Sequence, residues 1–494
     1  MSDTSKFPDP TYRDTVLAPL FESVKAHYAV GMDQINRAHL VMLRETGILG
    51  PDSAAKIASA LDDISKSTDL ASLSYTGEHE DYFFWIEAQL HDRLGDLGGA
   101  LHTARSRNDM DHTLFKMALR DRASQLMHQV LTLATALTDK AEAEAETLIV
   151  AYTHGQPAQP STFGHYLAAA VETLLRDAQR LEVAMRGLDQ SPMGAAAITT
   201  SGFPINRERM ADLLGFEEPL LNSYGCIASV DYITGLYSAM KLIFLHLGRL
   251  IQDMAFWSAF EVGQLYVPNA LVQVSSIMPQ KRNPVPIEHL RHLSSVTAGR
   301  CDMVVNTMHN TPFTDMNDSE GEVQQAGYAA FESGGRVLQL LTAMLPVCSI
   351  NAERVRQTTD AACITITELA DTLVRSEGIS FRAAHEVASK TARAVIAEGR
   401  SLGTGFDAFM SAFTKETGTQ SRITEAMFAE ATAPETFIAR RDRTGGPALP
   451  ALTKALATYR AQTLGLKEQQ AARRARVVQA DAARDAAFKQ LMEA

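Results

Sequence analysis

Residues 111–150 read DHTLFKMALRDRASQLMHQVLTLATALTDKAEAEAETLIV, forty residues without glycine or proline. Apolar side chains recur in this stretch at near-helical spacing, at Leu114, Met117, Ala118, Leu126 and Val130. A helix of that length would span about 60 Å at about 1.5 Å per residue. The stretch therefore predicts a helix several times longer than the average of roughly 11 residues.

Four further stretches carry a long helical pattern, and they cover residues 162–185, 227–260, 284–308 and 322–345. Strand patterns are scarce along the chain. We therefore expect an all-α protein built on a bundle of long helices. Helices of this length seldom bury their apolar faces within one chain, so the pattern also predicts an oligomer.

The helical pattern divides the chain into three ranges. Residues 1–108 show irregular helical patches broken by turn signals, and residues 109–350 hold the long helices of the predicted bundle. In residues 351–494 the helices shorten and glycine returns. We expect an N-terminal helical domain, a central bundle domain and a C-terminal helical domain. The charged, alanine-rich residues 467–494 predict a solvated helix, with a partner-binding tail as the alternative.

The composition excludes several classes of protein. The 494 residues include 46 Lys and Arg against 58 Asp and Glu, and the net charge of −12 disfavours nucleic-acid binding. No stretch of 18 apolar residues lacks a charge, so we expect no membrane span. The N-terminal MSDTSKFPDP does not resemble a signal peptide. Four scattered cysteines without CxxC spacing indicate a reducing compartment, and we expect a cytoplasmic protein.

The segment VSSIMPQKRNP, residues 274–284, is the most unusual one for chemistry. It holds two serines, a lysine and an asparagine: Ser275, Ser276, Lys281 and Asn283. A predicted helix follows, with Glu288 in its first turns, and the start of a helix favours negative charge. The segment is therefore suited to hold or create an anion. A surface loop with an ordinary helix cap is the alternative.

A second segment, LHTARSRND at residues 101–109, precedes the longest predicted helix. It supplies donors that suit carboxylates, namely Arg105, Ser106, Arg107 and Asn108. A polar connection that caps the helix is the alternative.

The third segment is YTHGQPAQP, residues 152–160. His154, beside Thr153, could relay or orient protons near neutral pH, although a lone histidine is more often structural. It lies in a proline-rich corner between two long predicted helices. The other histidines show no clustering typical of a metal site, and we expect none.

Together the three segments resemble the argininosuccinate lyase branch of the fumarase/aspartase superfamily. That branch carries HTARSRND, Thr-His-x-Gln-Pro-Ala-Gln-Pro and SSxMPQKxNP in this order. The resemblance continues through residues 368–375, 381–385 and 440–447. It implies a three-domain all-α fold and a homotetramer with twenty helices in its central bundle. It also implies active sites where three chains meet, no cofactor, and elimination of an amine from an N-substituted aspartate to leave fumarate.

The resemblance also implies roles for the residues. Ser275 would be the base, with Ser276 as the competing assignment, and Lys281 and Asn283 would stabilise the doubly charged intermediate. His154 would orient the substrate or transfer a proton, with Glu288 of a neighbouring chain as its charge partner. The substrate-binding residues, chiefly for the succinyl carboxylates, would be Ser106, Arg107, Asn108, Thr153 and Gln159.

This chain departs from the family pattern where the amine half of the substrate binds. Val274 replaces a glycine, Gly155 a bulky residue and Asn36 a serine, and TPFTDMNDSE at residues 311–320 replaces a Tyr-Asn-Lys-Asp segment. We therefore expect another N-substituted aspartate, as in ethylenediamine-N,N'-disuccinate lyases. The alternatives are argininosuccinate lyase proper, in arginine biosynthesis, and a non-catalytic crystallin-like scaffold protein.

Overall fold

The computed structural model describes residues 7–493 of the chain. Its helices are α1 (Pro10–Tyr12), α2 (Ala18–His27), α3 (Ala29–Glu45), α4 (Pro51–Ser67), α5 (Tyr82–Leu94), α6 (Arg107–Ala143), α7 (Phe163–Arg186), α8 (Arg207–Leu214), α9 (Ser223–Ala228), α10 (Asp231–Ser258), α11 (Val285–Thr307), α12 (Gly321–Met344), α13 (Ala352–Ala361), α14 (Ile366–Glu377), α15 (Phe381–Ala397), α16 (Phe406–Thr417), α17 (Glu425–Thr432), α18 (Pro434–Ala439) and α19 (Leu449–Glu493).

Short strands pair two by two between these helices. They are β1 (Leu148–Thr153) with β2 (Gln156–Thr162), β3 (Gln190–Ser191) with β4 (Glu218–Pro219), β5 (Leu265–Tyr266) with β8 (Ser349–Ile350), and β6 (Gln273–Val274) with β7 (Arg282–Asn283). The β3–β4 pair is parallel and the other three are antiparallel. Helix thus dominates, and the all-α prediction is confirmed.

The longest predicted helix begins and ends earlier than the pattern indicates. Helix α6 starts at Arg107 because Ser106 and Asp109 form a capping box. The Ser106 hydroxyl accepts a backbone N–H from the first turn of the helix, and the Asp109 carboxylate accepts the backbone N–H of Ser106. The helix stops at Ala143, and Leu148–Thr153 forms β1 instead. That strand is rich in β-branched and aromatic residues, which favour extended backbone. The length predicted from the lack of glycine and proline was therefore too great at the C-terminal end of the helix.

Five long helices form the centre of the chain. Helix α10 packs between α7 and α11, and α12 packs against α11 and α6. Their facing sides share one apolar core that contains fully buried side chains such as Leu126, Val130, Tyr237 and Phe244. The predicted long-helix bundle is confirmed within one chain.

The C-terminal part contains a small core and a long returning helix. Phe409, Phe413 and Phe428 are buried together among α14–α17. Helix α19, 45 residues long, then runs back along α3, α4, α6, α7 and α8. The helix predicted near the C-terminus is present, and side chains along one side of it, including Phe488, are buried in the main core. The three-domain division remains a prediction.

None of the helices in residues 7–493 has a stretch apolar and long enough to cross a membrane. All four cysteines are free thiols, and all are buried.

Candidate functional site

The first predicted segment forms the start of α6. The Ser106 hydroxyl accepts the Asn108 backbone N–H at 3.4 Å, and Asp109 Oδ1 accepts the Ser106 backbone N–H at 3.0 Å. Ser106, Arg107 and Asn108 are each partly exposed, whereas Asp109 is fully buried. The start of α6 therefore presents the donor groups of Ser106, Arg107 and Asn108 to solvent, while the buried Asp109 holds the first turn in place. Such an arrangement suits a carboxylate.

A segment that the sequence analysis missed packs against this helix start. Asp109 Oδ2 accepts the backbone N–H groups of Gly194 and Ala196, each at 2.9 Å. Asn108 Nδ2 donates to the carbonyl oxygen of Ala197 at 3.1 Å. Burial raises the pKa of Asp109 to about 6, although these hydrogen bonds oppose the shift. The available signal was a glycine followed by a run of small residues.

Arg107 has partners of its own in this conformation. Its Nη1 lies 2.6 Å from Asp81 Oδ2 and 3.2 Å from Glu80 Oε1. Partial burial lowers the pKa of Arg107, but the two carboxylates outweigh it and leave the pKa above its usual value. A substrate carboxylate at Arg107 would share the guanidinium with Asp81 and Glu80.

Residues 311–320, where a Tyr-Asn-Lys-Asp segment was expected from the family resemblance, also contribute charge near Arg107. Burial, reinforced by the nearby Asp315 carboxylate, raises the pKa of Glu320 to about 7, and Arg107 opposes the shift. Burial and the Glu320 charge raise the pKa of Asp111, in the second turn of α6, well above its usual range. This side of the helix start therefore carries several carboxylates around one guanidinium.

His154 lies at the tip of the β1–β2 hairpin. It has a left-handed backbone with φ of 54°, and Gly155 follows with φ of 72°. The turn leaves both Thr153 and His154 exposed. His154 and Gln159 line a cavity of about 640 Å³, together with Trp257 of α10 and Arg441 from the C-terminal part.

The third segment forms the β6–β7 hairpin, which leads into α11. Val274 pairs with Arg282, and the turn between them carries Ser275, Ser276 and Lys281. Ser275 is partly exposed, Ser276 and Lys281 are exposed, and Asn283 is partly buried.

Two backbone N–H groups donate to the Ser275 hydroxyl. The Met278 N–H lies 3.1 Å from Ser275 Oγ, and the Ile277 N–H lies 3.4 Å from it. No hydrogen bond of this kind reaches Ser276 within residues 7–493. Donors of this type stabilise negative charge on an oxygen atom, which distinguishes Ser275 from its neighbour.

Arg282 anchors this hairpin, a role that the sequence analysis did not assign. Its Nη2 donates to the Val267 carbonyl at 2.7 Å and to Asn269 Oδ1 at 2.9 Å. Its guanidinium lies over the Tyr266 ring, 4.7 Å from the centroid. Glu288 follows in the first turn of α11 with an exposed side chain.

The three segments are not joined into one cluster among residues 7–493 of a single chain. Within the described range, no side-chain hydrogen bond joins residues 105–109, 153–159 and 275–288 to one another. The His154 cavity has no lining residue from the β6–β7 hairpin. One chain therefore presents three partial sites.

Comparisons with known proteins identify the family. A family model described as lyase matches residues 22–299, and one described as argininosuccinate lyase C-terminal matches residues 363–439. Argininosuccinate lyase 2 of Agrobacterium fabrum (strain C58 / ATCC 33970) is 59% identical over 474 residues, which cover 96% of this chain and 94% of that protein. Argininosuccinate lyase 1 of Shouchella clausii (strain KSM-K16) is 33% identical over 88% of each chain.

Solved structures agree with this assignment. An EDDS lyase variant with bound fumarate matches with a TM-score of 0.86 and 26% identity, and the match covers 100% of this chain and 98% of that one. EDDS lyase in complex with formate gives the same values. The predicted resemblance is confirmed. The chain belongs to the argininosuccinate lyase branch of the fumarase/aspartase superfamily, and it is a carbon–nitrogen lyase that releases fumarate.

Proposed function

We propose that the enzyme eliminates an amine from an N-substituted aspartate with Ser275 as the base. The Ser275 alkoxide takes the proton from the carbon beside a carboxylate, and the electron pair of that C–H bond is held in the doubly charged intermediate. The pair then forms the new carbon–carbon double bond as the carbon–nitrogen bond breaks. The amine leaves with the bonding electrons and takes a proton from His154 or water, fumarate remains, and Ser275 loses its proton to solvent to restore the alkoxide.

The hydrogen bonds to Ser275 are the observation that carries this proposal. A serine hydroxyl is a poor base unless its alkoxide is stabilised. The N–H groups of Ile277 and Met278 point at Ser275 Oγ and would stabilise that alkoxide. Lys281, in the same turn, adds a full positive charge. Lys281 and Asn283 would also stabilise the doubly charged intermediate, which is usually the largest catalytic contribution.

The other roles require more than one chain, and we propose a homotetramer whose sites each combine three chains. Ser106, Arg107 and Asn108 of one chain would hold the succinyl carboxylates. Thr153, His154 and Gln159 of a second would orient the substrate, and the β6–β7 hairpin of a third would supply the base. Glu288 would be the charge partner of His154. The lack of side-chain hydrogen bonds between these segments within residues 7–493 of one chain supports this arrangement. The cytoplasm is the proposed location.

For the amine half we propose an aminopolycarboxylate of the ethylenediamine-disuccinate type. The family segment that this chain lacks is replaced by one that places Glu320 and Asp315 near Arg107. Carboxylates there would favour a positively charged diamine. The match to EDDS lyase over the whole chain supports the same choice.

Argininosuccinate is the second candidate substrate. It is favoured by the 59% identity to a protein named argininosuccinate lyase 2. Arginine also carries positive charge, so the carboxylates near Arg107 are compatible with either leaving group.

Fumarate formation tests the proposal. The purified protein is incubated separately with argininosuccinate and ethylenediamine-disuccinate, and fumarate is followed by its ultraviolet absorbance. We expect faster turnover of ethylenediamine-disuccinate. Faster turnover of argininosuccinate, together with rescue of an arginine auxotroph, would establish the second candidate. Absence of fumarate with both substrates would contradict the proposed substrates and return the scaffold alternative to consideration.

A further inference from the structure

A loop of small residues lies against the start of α6. Residues 193–200 read MGAAAITT, and three of them have left-handed backbone: Gly194 with φ of 85°, Ala196 with φ of 51° and Thr200 with φ of 62°. This conformation is unfavourable for alanine and threonine. Residues of this kind persist where the surrounding structure holds them, and they cluster at functional sites.

Asp109 holds this loop in place. Its side chain has no exposed surface, and its two oxygens accept three backbone N–H groups. Oδ2 accepts those of Gly194 and Ala196, and Oδ1 accepts that of Ser106. One buried carboxylate therefore fixes the loop and the first turn of the longest central helix relative to each other.

The loop in turn fixes the side chain of Asn108. Asn108 Nδ2 donates one hydrogen to the Ala197 carbonyl at 3.1 Å, and Asn108 Oδ1 accepts from the Ser106 hydroxyl at 3.3 Å. A side-chain amide nitrogen has two hydrogens, so the second one has a defined direction. Asn108 is partly exposed, and that hydrogen is available to a carboxylate.

We propose that Asp109 is a positioning residue for carboxylate binding, and that it acts through the loop 194–200 on the amide of Asn108. The inference rests on the proposed function, because the carboxylate is that of fumarate or of the succinyl group. Asp109 itself is buried beneath the surface and does not touch substrate. When the Asn108 amide is already oriented, binding a carboxylate costs less conformational entropy. Loss of that orientation therefore weakens affinity although Asn108 itself is still present.

A double-mutant cycle with fumarate as the probe tests the proposal. Fumarate affinity is measured by titration calorimetry on the full-length assembled enzyme. Asp109→Asn replaces one acceptor oxygen with a donor, and we expect about a tenfold loss of affinity, as for one hydrogen bond of ordinary strength. In the Asn108→Ala background the same change should cost less than about twofold, because the group on which Asp109 acts is gone.

Thr200 offers a milder test at the surface. Its hydroxyl donates to the Gly194 carbonyl at 2.8 Å and closes the same loop. We expect Thr200→Val to weaken fumarate binding in the native background and not in Asn108→Ala, and Thr200→Ser to restore it. Thr200→Val and Thr200→Ser test the proposal by themselves if Asp109→Asn does not fold. Asp189→Asn, a buried carboxylate bound to the C-terminal helix, is the control and should have the same effect in both backgrounds.

The proposal would be overturned if Asp109→Asn or Thr200→Val, whichever folds, lost the same fumarate affinity in the native and Asn108→Ala backgrounds. Asp109 and its loop would then act independently of Asn108. No change in fumarate affinity on Thr200→Val and Asp109→Asn would overturn it as well. Failure of the native enzyme to bind fumarate at all would instead contradict the proposed function, and this inference with it. The outcomes are distinguishable because the native enzyme is measured first.

Discussion

Arg105 Nη1 donates a hydrogen bond of 2.7 Å to the side-chain oxygen of Asn36, and both side chains are buried. The family resemblance predicts a serine where this chain has Asn36. Here the longer amide reaches Arg105, whose pKa burial lowers to about 10. Asn36 therefore holds Arg105, the residue before Ser106, through the side-chain oxygen that accepts this hydrogen bond.

The first prediction concerns this pair. Asn36→Ala leaves a buried guanidinium without its hydrogen-bond acceptor, so we expect the free energy of unfolding to fall by roughly 2–3 kcal/mol. Chemical denaturation monitored by circular dichroism measures the change. Asn36→Asp supplies a carboxylate at the same position and should recover most of the loss. Unchanged stability of Asn36→Ala would show that Arg105 does not depend on this bond.

The second prediction contrasts two arginines on α19. Arg473 is buried and pairs with Glu182 and Asp189, each at 2.8 Å, whereas Arg460 pairs with Glu142 at 2.7 Å on the surface. Breaking a buried ion pair leaves an uncompensated charge, so Arg473→Ala should destabilise the fold by about 3–5 kcal/mol. Arg460→Ala, the matched control, should cost about 0–1 kcal/mol. Denaturation curves that show similar losses for both would contradict the burial of this network.

The third prediction separates the two serines of the β6–β7 hairpin. Ser275→Ala removes the hydroxyl that receives both backbone N–H groups, so kcat should fall by at least about 10³-fold. Ser276→Ala should retain most of the activity. Initial rates of fumarate formation measure both, on the substrate that the native enzyme turns over. The reverse pattern would assign the base to Ser276.

The fourth prediction concerns pH. With a pKa of about 6, Asp109 is ionised at pH 7 and gains a proton as the pH falls towards 5. The protonated group cannot accept all three N–H groups, so fumarate affinity should fall over this interval. Arg105 and the buried Cys226 lie near Asp109, and neither is expected to change charge between pH 5 and 7. Glu320 and Asp111, on the Arg107 side of the helix start, have raised pKa values, about 7 for Glu320, and can gain protons over the same interval.

Comparison with Asn108→Ala isolates this effect. Protonation of fumarate, Glu320 or Asp111 changes binding to both proteins alike. The affinity of the native enzyme divided by that of Asn108→Ala therefore reports on Asp109. We expect the ratio to decrease from pH 7 to pH 5. A constant ratio would show that the charge of Asp109 does not influence Asn108.

The sequence predicted the fold well because long apolar repeats determine helices and their packing. Four of the five long helices begin and end within a few residues of the patterns. The exception is α6, where the β-branched and aromatic residues of Leu148–Thr153 form a strand that pairs with β2, a local signal that the lack of glycine and proline obscured. The buried face of α19 was missed for a different reason, since its partners lie hundreds of residues earlier.

For the site, the sequence motifs predicted which segments contribute residues, but not the contacts between those segments and the rest of the fold. Ser275, His154 and Asn108 lie in segments with unusual composition, and the family resemblance gave them roles. Arg282 lies in one of these segments and the loop at Gly194 is rich in small residues, but composition alone assigns neither of them a role. Their importance comes from tertiary hydrogen bonds to Asp109 and Val267, which depend on how distant segments pack.

Hybrid enzymes test the central claim, that each site combines segments of different chains. Ser275→Ala and His154→Ala are each expected to be inactive alone. The two variants are coexpressed with different affinity tags, and assemblies that carry both tags are purified. If the site is shared, some sites in the hybrids contain both native residues, and fumarate formation should return. Hybrids as inactive as the parent variants would show that Ser275 and His154 of the same chain serve one site, and would contradict the account.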